Sequence, residues 1–272
     1  MSIMFAAIGK TLRKSAPAML GALLCAVFAA ARCEAAALRV AVVDDYRPYV
    51  YVHQGKLTGI DVDIAQMIAR RLGRELEVVT VTFPELIECV KSRRTDMAMT
   101  ALAVTEERRR FVNFSDPYEF AGMTFLVRAA ENIRHIPDMK ERSSFLVGVE
   151  MGSTAYELID RDKEFRLVGY SGNREAVQAL LNFQNDAVLM DYMVALMMQL
   201  EHPDRLVVLS DKLNHEEFAV AVNKKDAELL RAANEVIHEL WESAQLRELQ
   251  QKHVKQASTD IRPERDSANV VK

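Results

Sequence analysis

Short apolar runs rich in β-branched residues alternate with segments of helical periodicity from residue 38 onward. The segment GIDVDIAQMIARRLG (59–73) places Ile64, Ile68 and Leu72 on one helical face and ends at a glycine suited to the turn after a helix. Parallel strands need a crossover between them, so this spacing of strands and helices predicts a parallel, doubly wound sheet. The predicted strands of this first unit are LRVAVV (38–43), ELEVVTV (75–81) and DMAMTAL (96–102).

The same pattern restarts in the second half of the chain. The segment FLVGVEMGSTAYELI (145–159) is typical of a strand, a tight loop and a helix, and DAVLMD (186–191) is typical of a further strand. We therefore expect an α/β fold of two doubly wound lobes joined by two crossover strands, near residues 123–128 and 213–219. The expected parts are lobe I at 38–125 and 215–255, lobe II at 126–214, and a disordered tail at 256–272.

The first 37 residues are predicted to be a signal peptide that is cleaved from the mature chain. A basic segment at 10–14 precedes the apolar stretch APAMLGALLCAVFAAA (16–31), and the small residues Ala35 and Ala37 offer a cleavage site. The alternative is a membrane anchor, but the apolar run is shorter than the roughly 20 residues that a spanning helix needs. The sequence therefore favours a protein secreted to the periplasm.

Several function classes fit the sequence poorly. The formal net charge is −4 and no basic patch stands out, so we expect no nucleic-acid partner. The segment HEEF (215–218) lacks the second histidine of a zinc-binding helix, and the glycines form no phosphate-cradling loop. Ser153 has no matched histidine and acid, which argues against nucleophilic catalysis. We expect neither a cofactor nor a metal.

Four polar stretches follow predicted strands, where ligands bind in doubly wound sheets. They supply an aromatic residue, an arginine at the start of a helix, a small-residue loop with hydroxyl groups, and a carboxylate. A guanidinium and loop N–H groups suit a carboxylate ligand, and an aspartate suits an ammonium group. Together they predict a site for a zwitterion. The stretches are DDYRPY (44–49), TALAVTEER (100–108), EMGSTA (150–155) and MDYM (190–193).

With these stretches the chain resembles the bacterial periplasmic solute-binding proteins for polar amino acids. The resemblance covers roughly residues 38–254, and its most specific part is the TxERxxxVxFSxPY-like segment. It implies the two-lobed periplasmic-binding fold of type II and service to an ABC importer. The residues that carry it are GIDVDIAQMIARRLG, DMAMTALAVTEERRRFVNFSDPY (96–118), VEMGSTAYELI (149–159) and DAVLMDYMVAL (186–196), in the family's order.

The resemblance assigns roles to four polar residues. Arg108 matches the arginine that clamps the α-carboxylate of the ligand, and Ser153 and Thr154 match the loop that donates to the same group from the other lobe. Asp191 matches the aspartate that receives the α-ammonium group. Without the resemblance, Arg108 reads as a surface arginine, and Asp191 and Thr154 read as helix caps.

The resemblance also implies an aromatic wall for the site, and it distinguishes one of three consecutive arginines from the other two. Tyr46 and Phe83 match the rings that cover the side chain of the ligand. Arg108 is the third residue after Thr105, a predicted N-cap, so it can turn toward the cleft. Arg109 and Arg110 are expected to be solvated.

Some positions depart from the family pattern. Ala103 stands where a hydroxyl residue commonly donates to the carboxylate, and Ala101 replaces a common glycine or serine. Val43 stands where binders of cationic side chains often carry an aspartate, which argues against a cationic ligand. Glu150 and Met190 lie beside the clamp and are unusual there. Glu150 could recognise a cation or pair with an arginine of the cleft, and the sequence leaves both open.

The expected function is capture of a small solute, an amino acid or a related compound, by hinge closure and its delivery to the membrane permease of an ABC transporter. A monomer suffices for this role. Two alternatives stay open. One is a sensory or scaffolding relative with altered ligand binding, motivated by Ala103. The other is an enzyme similar to cyclohexadienyl or arogenate dehydratases, with Glu150 as its acid.

Overall fold

The structure is a computed structural model that describes residues 36–142, 144–162 and 164–261. The predicted signal peptide lies outside the described residues apart from its last two positions, and so does most of the predicted tail, 262–272. No helix in the described part of the chain combines the length and the apolar character needed to cross a membrane.

The first sheet has five strands in the order β4-β1-β5-β14-β6. Strands β1, β4 and β5 run parallel, and β14 is antiparallel to both of its neighbours. The strands are β1 (Leu38–Val42), β4 (Leu76–Thr80), β5 (Met97–Ala98), β6 (Val112–Phe114) and β14 (Ala221–Asn223). We call this sheet and its helices lobe I.

The second sheet repeats this arrangement in the order β10-β9-β11-β8-β12. Strands β9, β10 and β11 run parallel, and β8 is antiparallel to β11 and β12. The strands are β8 (Met123–Arg128), β9 (Leu146–Glu150), β10 (Arg166–Tyr170), β11 (Ala187–Asp191) and β12 (Leu206–Val208). We call this sheet and its helices lobe II. The prediction of a two-lobed α/β fold is confirmed.

One strand in each sheet departs from the predicted parallel pattern. The reversed strands, β8 and β14, are those that begin where the chain has just crossed from the other lobe. Two short strands, β7 (Glu119–Ala121) and β13 (Glu216–Phe218), pair antiparallel at this crossing. Since the parallel strands end at the cleft, a strand that starts at the crossing must run away from the cleft. The second sheet begins at Met123, so the first crossing falls just before the predicted range of 123–128.

The helices pack around these sheets, and a hairpin of β2 (Tyr51–His53) and β3 (Lys56–Thr58) precedes the first helix. Gly59, which begins that helix, has a φ of 138°, and a Cβ there would lie 2.0 Å from the Tyr49 carbonyl oxygen, so only glycine fits. The helices are α1 (Ile60–Arg71), α2 (Glu85–Lys91), α3 (Glu106–Arg109), α4 (Ile136–Lys140), α5 (Thr154–Asp162), α6 (Asn173–Leu181), α7 (Tyr192–Glu201), α8 (Ala227–Glu242) and α9 (Gln245–Asp260).

The last helix contradicts the predicted start of the tail at residue 256. Helix α9 continues to Asp260 because Ala257, which is fully buried, packs against Met197 of lobe II and Tyr51 of lobe I. The Asp260 carboxylate also contacts the imidazole of His53, 2.5 Å away. These contacts supply the burial that the sequence of this segment does not reveal.

A buried histidine fixes α9 to lobe I. His253 is fully buried, with Nδ1 3.1 Å from the Tyr51 hydroxyl and Nε2 2.8 Å from the Asp63 carboxylate. The exposed Lys252 ammonium group lies 2.7 Å from the same carboxylate oxygen. The two neighbouring partners of Asp63 therefore differ chiefly in burial.

Replacing His253 should therefore destabilise the protein far more than replacing Lys252. His253→Phe leaves the Tyr51 hydroxyl without its partner inside the structure, and should lower the free energy of unfolding by about 1–3 kcal/mol. Lys252→Ala removes an exposed ion pair and should cost less than about 1 kcal/mol. Urea unfolding measures both, and equal losses would contradict the assignment.

Candidate functional site

A narrow cavity lies between the two lobes, at the carboxyl ends of their parallel strands. Its volume is about 10 Å³, which is room for roughly one water molecule. Small-molecule sites usually enclose about 300 Å³ or more, so the cavity is closed and too small to hold an amino acid. All ten residues singled out in the sequence line it: Tyr46, Phe83, Ala101, Ala103, Arg108, Glu150, Ser153, Thr154, Met190 and Asp191.

Arg108 is the buried member of the arginine run. The Thr105 hydroxyl accepts from the Arg108 backbone N–H at 3.2 Å, so Thr105 is the N-cap of α3, as predicted. Arg109 and Arg110 are exposed, also as predicted. The Arg108 guanidinium donates to the Ala103 carbonyl at 2.7 Å and, across the lobes, to the Gly152 carbonyl at 3.1 Å. Burial lowers the pKa of Arg108, but an arginine stays protonated in proteins.

The turn that leads into Ala103 is held by a carboxylate from α1. Thr100 and Ala101 have positive φ angles of 126° and 44°, which residues with a Cβ rarely adopt. Both of their backbone N–H groups donate to the same Asp61 oxygen at 2.8 Å. Burial raises the pKa of Asp61 to about 7. Asp61 lies in the first turn of α1, and through these bonds it positions the backbone that carries Ala101 and Ala103 into the cavity.

The loop after β9 presents the start of α5 to the same cavity. The Ser153 hydroxyl donates to the Glu150 carbonyl at 2.7 Å and accepts from the Tyr156 backbone N–H at 3.2 Å, so it caps the helix. The Thr154 hydroxyl lies 3.9 Å from the Met123 sulfur. Because the first N–H groups of a helix have no partner within it, this loop offers donors suited to an anion.

Asp191 faces the cavity from lobe II. It precedes α7 without capping it through its side chain, and its carboxylate accepts from the Tyr46 hydroxyl of lobe I at 2.6 Å. Burial raises the pKa of Asp191, and the neighbouring carboxyl of Glu216 raises it further. One oxygen of Glu216 is buried without a hydrogen-bond partner among the described residues. An ammonium group between these two carboxyls would give both of them a positively charged partner.

Glu150 adds a further carboxyl to the cavity. It is the last residue of β9 and is 2% exposed, and one of its oxygens accepts from the Asn173 side-chain amide at 3.2 Å. The described residues place no cation within ion-pair distance of Glu150, so it does not pair with an arginine of the cleft. Burial, followed by the charge of Asp191, raises the pKa of Glu150 to about 8.

The aromatic wall joins Tyr46 and Phe83, whose ring centroids are 6.0 Å apart. The Arg108 guanidinium carbon lies 5.6 Å from the centre of the Phe83 ring. Met190 and Leu189 line the wall from lobe II. The rings therefore bring apolar surface and the charged clamp together.

Further contacts across the lobes hold the closed form. The Arg174 guanidinium, on α6, pairs with the Asp45 carboxylate of lobe I and with Glu201 of α7, at 2.8 Å for the latter. Gly152 has a φ of 77°, and a Cβ there would lie 3.0 Å from the Pro84 ring, so the two lobes approach closely at a glycine. A wider groove of about 700 Å³ runs beside the cavity, but it does not contain Arg108 or Asp191.

The chain belongs to the bacterial extracellular solute-binding proteins, family 3, which match residues 38–256. It is similar to the L-cystine-binding protein TcyJ of Escherichia coli (strain K12), with 28% identity over 80% of this chain and 83% of that protein. It is also 29% identical to the cyclohexadienyl dehydratase of Pseudomonas aeruginosa, over 64% of this chain and 66% of the enzyme. The structure of holo ArgBP from T. maritima aligns with a TM-score of 0.70 at 33% identity, over 75% of this chain and 90% of that chain.

The sequence analysis missed several residues of the cavity. Asn173, Met123, Ala155 and Leu189 line it as well. Asn173 begins α6, three residues after the end of β10, so the rule that ligands bind beyond the carboxyl ends of strands would have found it. Met123 opens the reversed strand β8, and nothing in its own segment signals this position.

Replacing the Glu150 carboxyl should raise the stability of the protein, and this gain should grow as the pH rises. Because the folded state raises this pKa from 4.5 to about 8, the folded state holds a proton that the unfolded state releases, and stability falls with pH across that window. Glu150→Gln can still accept from Asn173. We expect it to be more stable than the wild type, with a difference that grows from pH 5 to pH 8 to at least about 1 kcal/mol.

Thermal and urea unfolding at several pH values would measure this difference. Glu106→Gln is the matched control, since the Glu106 side chain is 94% exposed, and it should leave the pH profile unchanged. Destabilisation by Glu150→Gln at pH 8 would mean that the carboxylate is a structural group.

Proposed function

We propose that this protein captures an amino acid in the periplasm and delivers it to the permease of an ABC importer. The amino-acid-binding character of the family supports the coarse function. The ligand-binding roles of the cavity residues and the transport step are the proposal. They are supported by the cavity itself, where a buried guanidinium of lobe I faces a buried carboxyl of lobe II.

The arrangement of charge carries this proposal. The Arg108 guanidinium and the Asp191 carboxyl line one cavity, but the structure gives neither an ion-pair partner among the described residues. Their partners are neutral: two backbone carbonyls for Arg108 and a tyrosine hydroxyl for Asp191. A zwitterion bridging them would give each group a partner of opposite charge, in hydrogen bonds whose donor and acceptor are both ionised.

Capture then works by a shift between open and closed forms. The α-carboxylate group binds Arg108 and the start of α5, and the α-ammonium group binds Asp191. Since these groups belong to different lobes, the complete set of contacts exists only when the lobes are closed, and the ligand stabilises that form through its differential contacts. The paired strands β7 and β13 are where the chain crosses, and they act as the hinge.

Arg108→Ala should abolish the binding of any α-amino acid, with at least a hundredfold loss of affinity in calorimetry. The variant removes the cation that neutralises the α-carboxylate in a buried site. Arg109→Ala, which removes an exposed cation from the next position, should bind like the wild type. Unchanged affinity in Arg108→Ala would contradict the site, and failure of the wild type to bind any amino acid would favour the sensory or scaffolding alternative.

A dehydratase is the second candidate, because Glu150 is a buried carboxyl that stays protonated at neutral pH. A general acid of this kind could protonate a leaving hydroxyl group. The similarity to a cyclohexadienyl dehydratase gives this candidate its substrate class.

We nevertheless expect no aromatic product from prephenate or arogenate. In the closed form Glu150 lies next to Asp191 and Asn173, a setting that we interpret below as a binding site for a cation. Absorbance of phenylpyruvate or phenylalanine formation, compared between the wild type and Glu150→Gln, measures turnover. Product that is lost in the variant would establish the enzyme instead.

A further inference from the structure

We propose that Glu150 selects the ligand by binding a positive charge on its side chain, so that the site takes a cationic amino acid. This inference rests on the proposed function, because it assumes an amino acid held by Arg108 and Asp191. It adds a specificity-determining residue and commits the site to a class of side chain, a guanidinium or an ammonium group. It reverses the expectation drawn from Val43, because Glu150 supplies from lobe II the carboxylate that position 43 of lobe I lacks.

The count of charges in the cavity is the first step. The α-carboxylate group of a ligand neutralises Arg108, and its α-ammonium group neutralises Asp191. Glu150 remains, and it is buried at 2% exposure. In the described part of the chain no arginine, lysine or histidine forms an ion pair with it. Its carboxylate form needs a buried cation as a partner, and a neutral amino acid in the cavity does not supply one.

Asn173 provides the second step. Its side-chain amide donates to Glu150 at 3.2 Å, while its carbonyl oxygen is buried and has no hydrogen-bond partner among the described residues. Asn173 is 5% exposed and lines the cavity. A carboxylate oxygen and an amide oxygen next to each other are both acceptors, and they suit a ligand group with several N–H donors.

The position of Glu150 relative to the clamp is the third step. Glu150 ends β9 and Asn173 begins α6, both in lobe II, and they line the same cavity as Arg108 and Asp191. A ligand whose α-groups bind Arg108 and Asp191 leaves Glu150 and Asn173 for its side chain.

Ionisation of Glu150 links selection to proton release. Without a ligand, burial raises the pKa of Glu150 to about 8, so the group is largely protonated at pH 7. A cation next to it favours the carboxylate and expels the proton. The titratable groups coupled to Glu150 from neighbouring elements are Asp191, at the end of β11, and the Tyr46 hydroxyl of lobe I. The Arg108 guanidinium lines the same cavity. Arg174, next to Asn173, is already paired with Asp45 and Glu201.

Calorimetry with five amino acids tests the inference. L-Arginine, L-lysine and L-ornithine carry a cationic side chain, whereas L-citrulline and L-glutamine are neutral. The wild type should bind at least one cationic member more than tenfold more tightly than L-citrulline. In Glu150→Gln this preference should shrink by ten- to a hundredfold, because a charge-assisted hydrogen bond is lost. Glu106→Gln, an exposed control, should keep the preference.

Proton release gives a readout that a merely structural role would not change. Titrations at pH 7 in two buffers of different ionisation enthalpy count the protons released. The wild type should release more protons with the cationic amino acid than with L-citrulline, and Glu150→Gln should remove this difference. Subtracting the neutral ligand removes the contribution of Asp191, which meets an α-ammonium group in both cases.

The outcomes separate the two proposals. If the wild type binds L-citrulline or L-glutamine as tightly as the cationic amino acids, the inference fails and the proposed function stands. If Glu150→Gln keeps the preference, the residue is not the selector. If the wild type binds none of the five and Arg108→Ala changes nothing, both proposals fail.

Discussion

Desolvation of charge is the constraint on which this structure depends. The cavity between the lobes buries one guanidinium, of Arg108, and two carboxyl groups, of Glu150 and Asp191, and the described residues give none of them a counter-ion there. The protein tolerates this in two ways: Arg108 donates to backbone carbonyls, and burial raises the pKa of both carboxyls, that of Glu150 to about 8. Neither of these supplies the buried groups with a partner of opposite charge. Under the proposed function, a zwitterionic solute supplies those partners.

The topology explains why this charge can be gathered and released. Each sheet sends the carboxyl ends of its parallel strands toward the cleft, and the chain crosses between the lobes at that same edge, which forces β8 and β14 to run in reverse. Groups from both lobes therefore meet at one cavity, close to the paired strands where the chain crosses. Under the proposed function, a ligand bound there contacts both lobes at once, next to the strands that we propose as the hinge.

The sequence predicts what is local, and the structure adds what is distant. Alternating strands and helices predict the two lobes, and the N-cap at Thr105 predicts which arginine turns inward. By contrast, Asp61 holds a turn about forty residues away, at Thr100 and Ala101, and Glu216 approaches Asp191 from the second crossing. No local pattern encodes such contacts. The same holds for α9, whose last turn is fixed by burial of Ala257 against both lobes.

The residues found at the site are not the ones that would make the fold most stable. A neutral glutamine at position 150 would keep the hydrogen bond to Asn173 without the cost of a buried carboxyl, and a hydroxyl at position 103 would offer another donor in the clamp. The chain instead has a buried carboxyl at position 150, and at position 103 an alanine, whose side chain donates no hydrogen bond. Functional groups are often destabilising where they lie. A carboxyl that weakens the closed protein without a cation, and is relieved by one, couples closure to the charge of the solute.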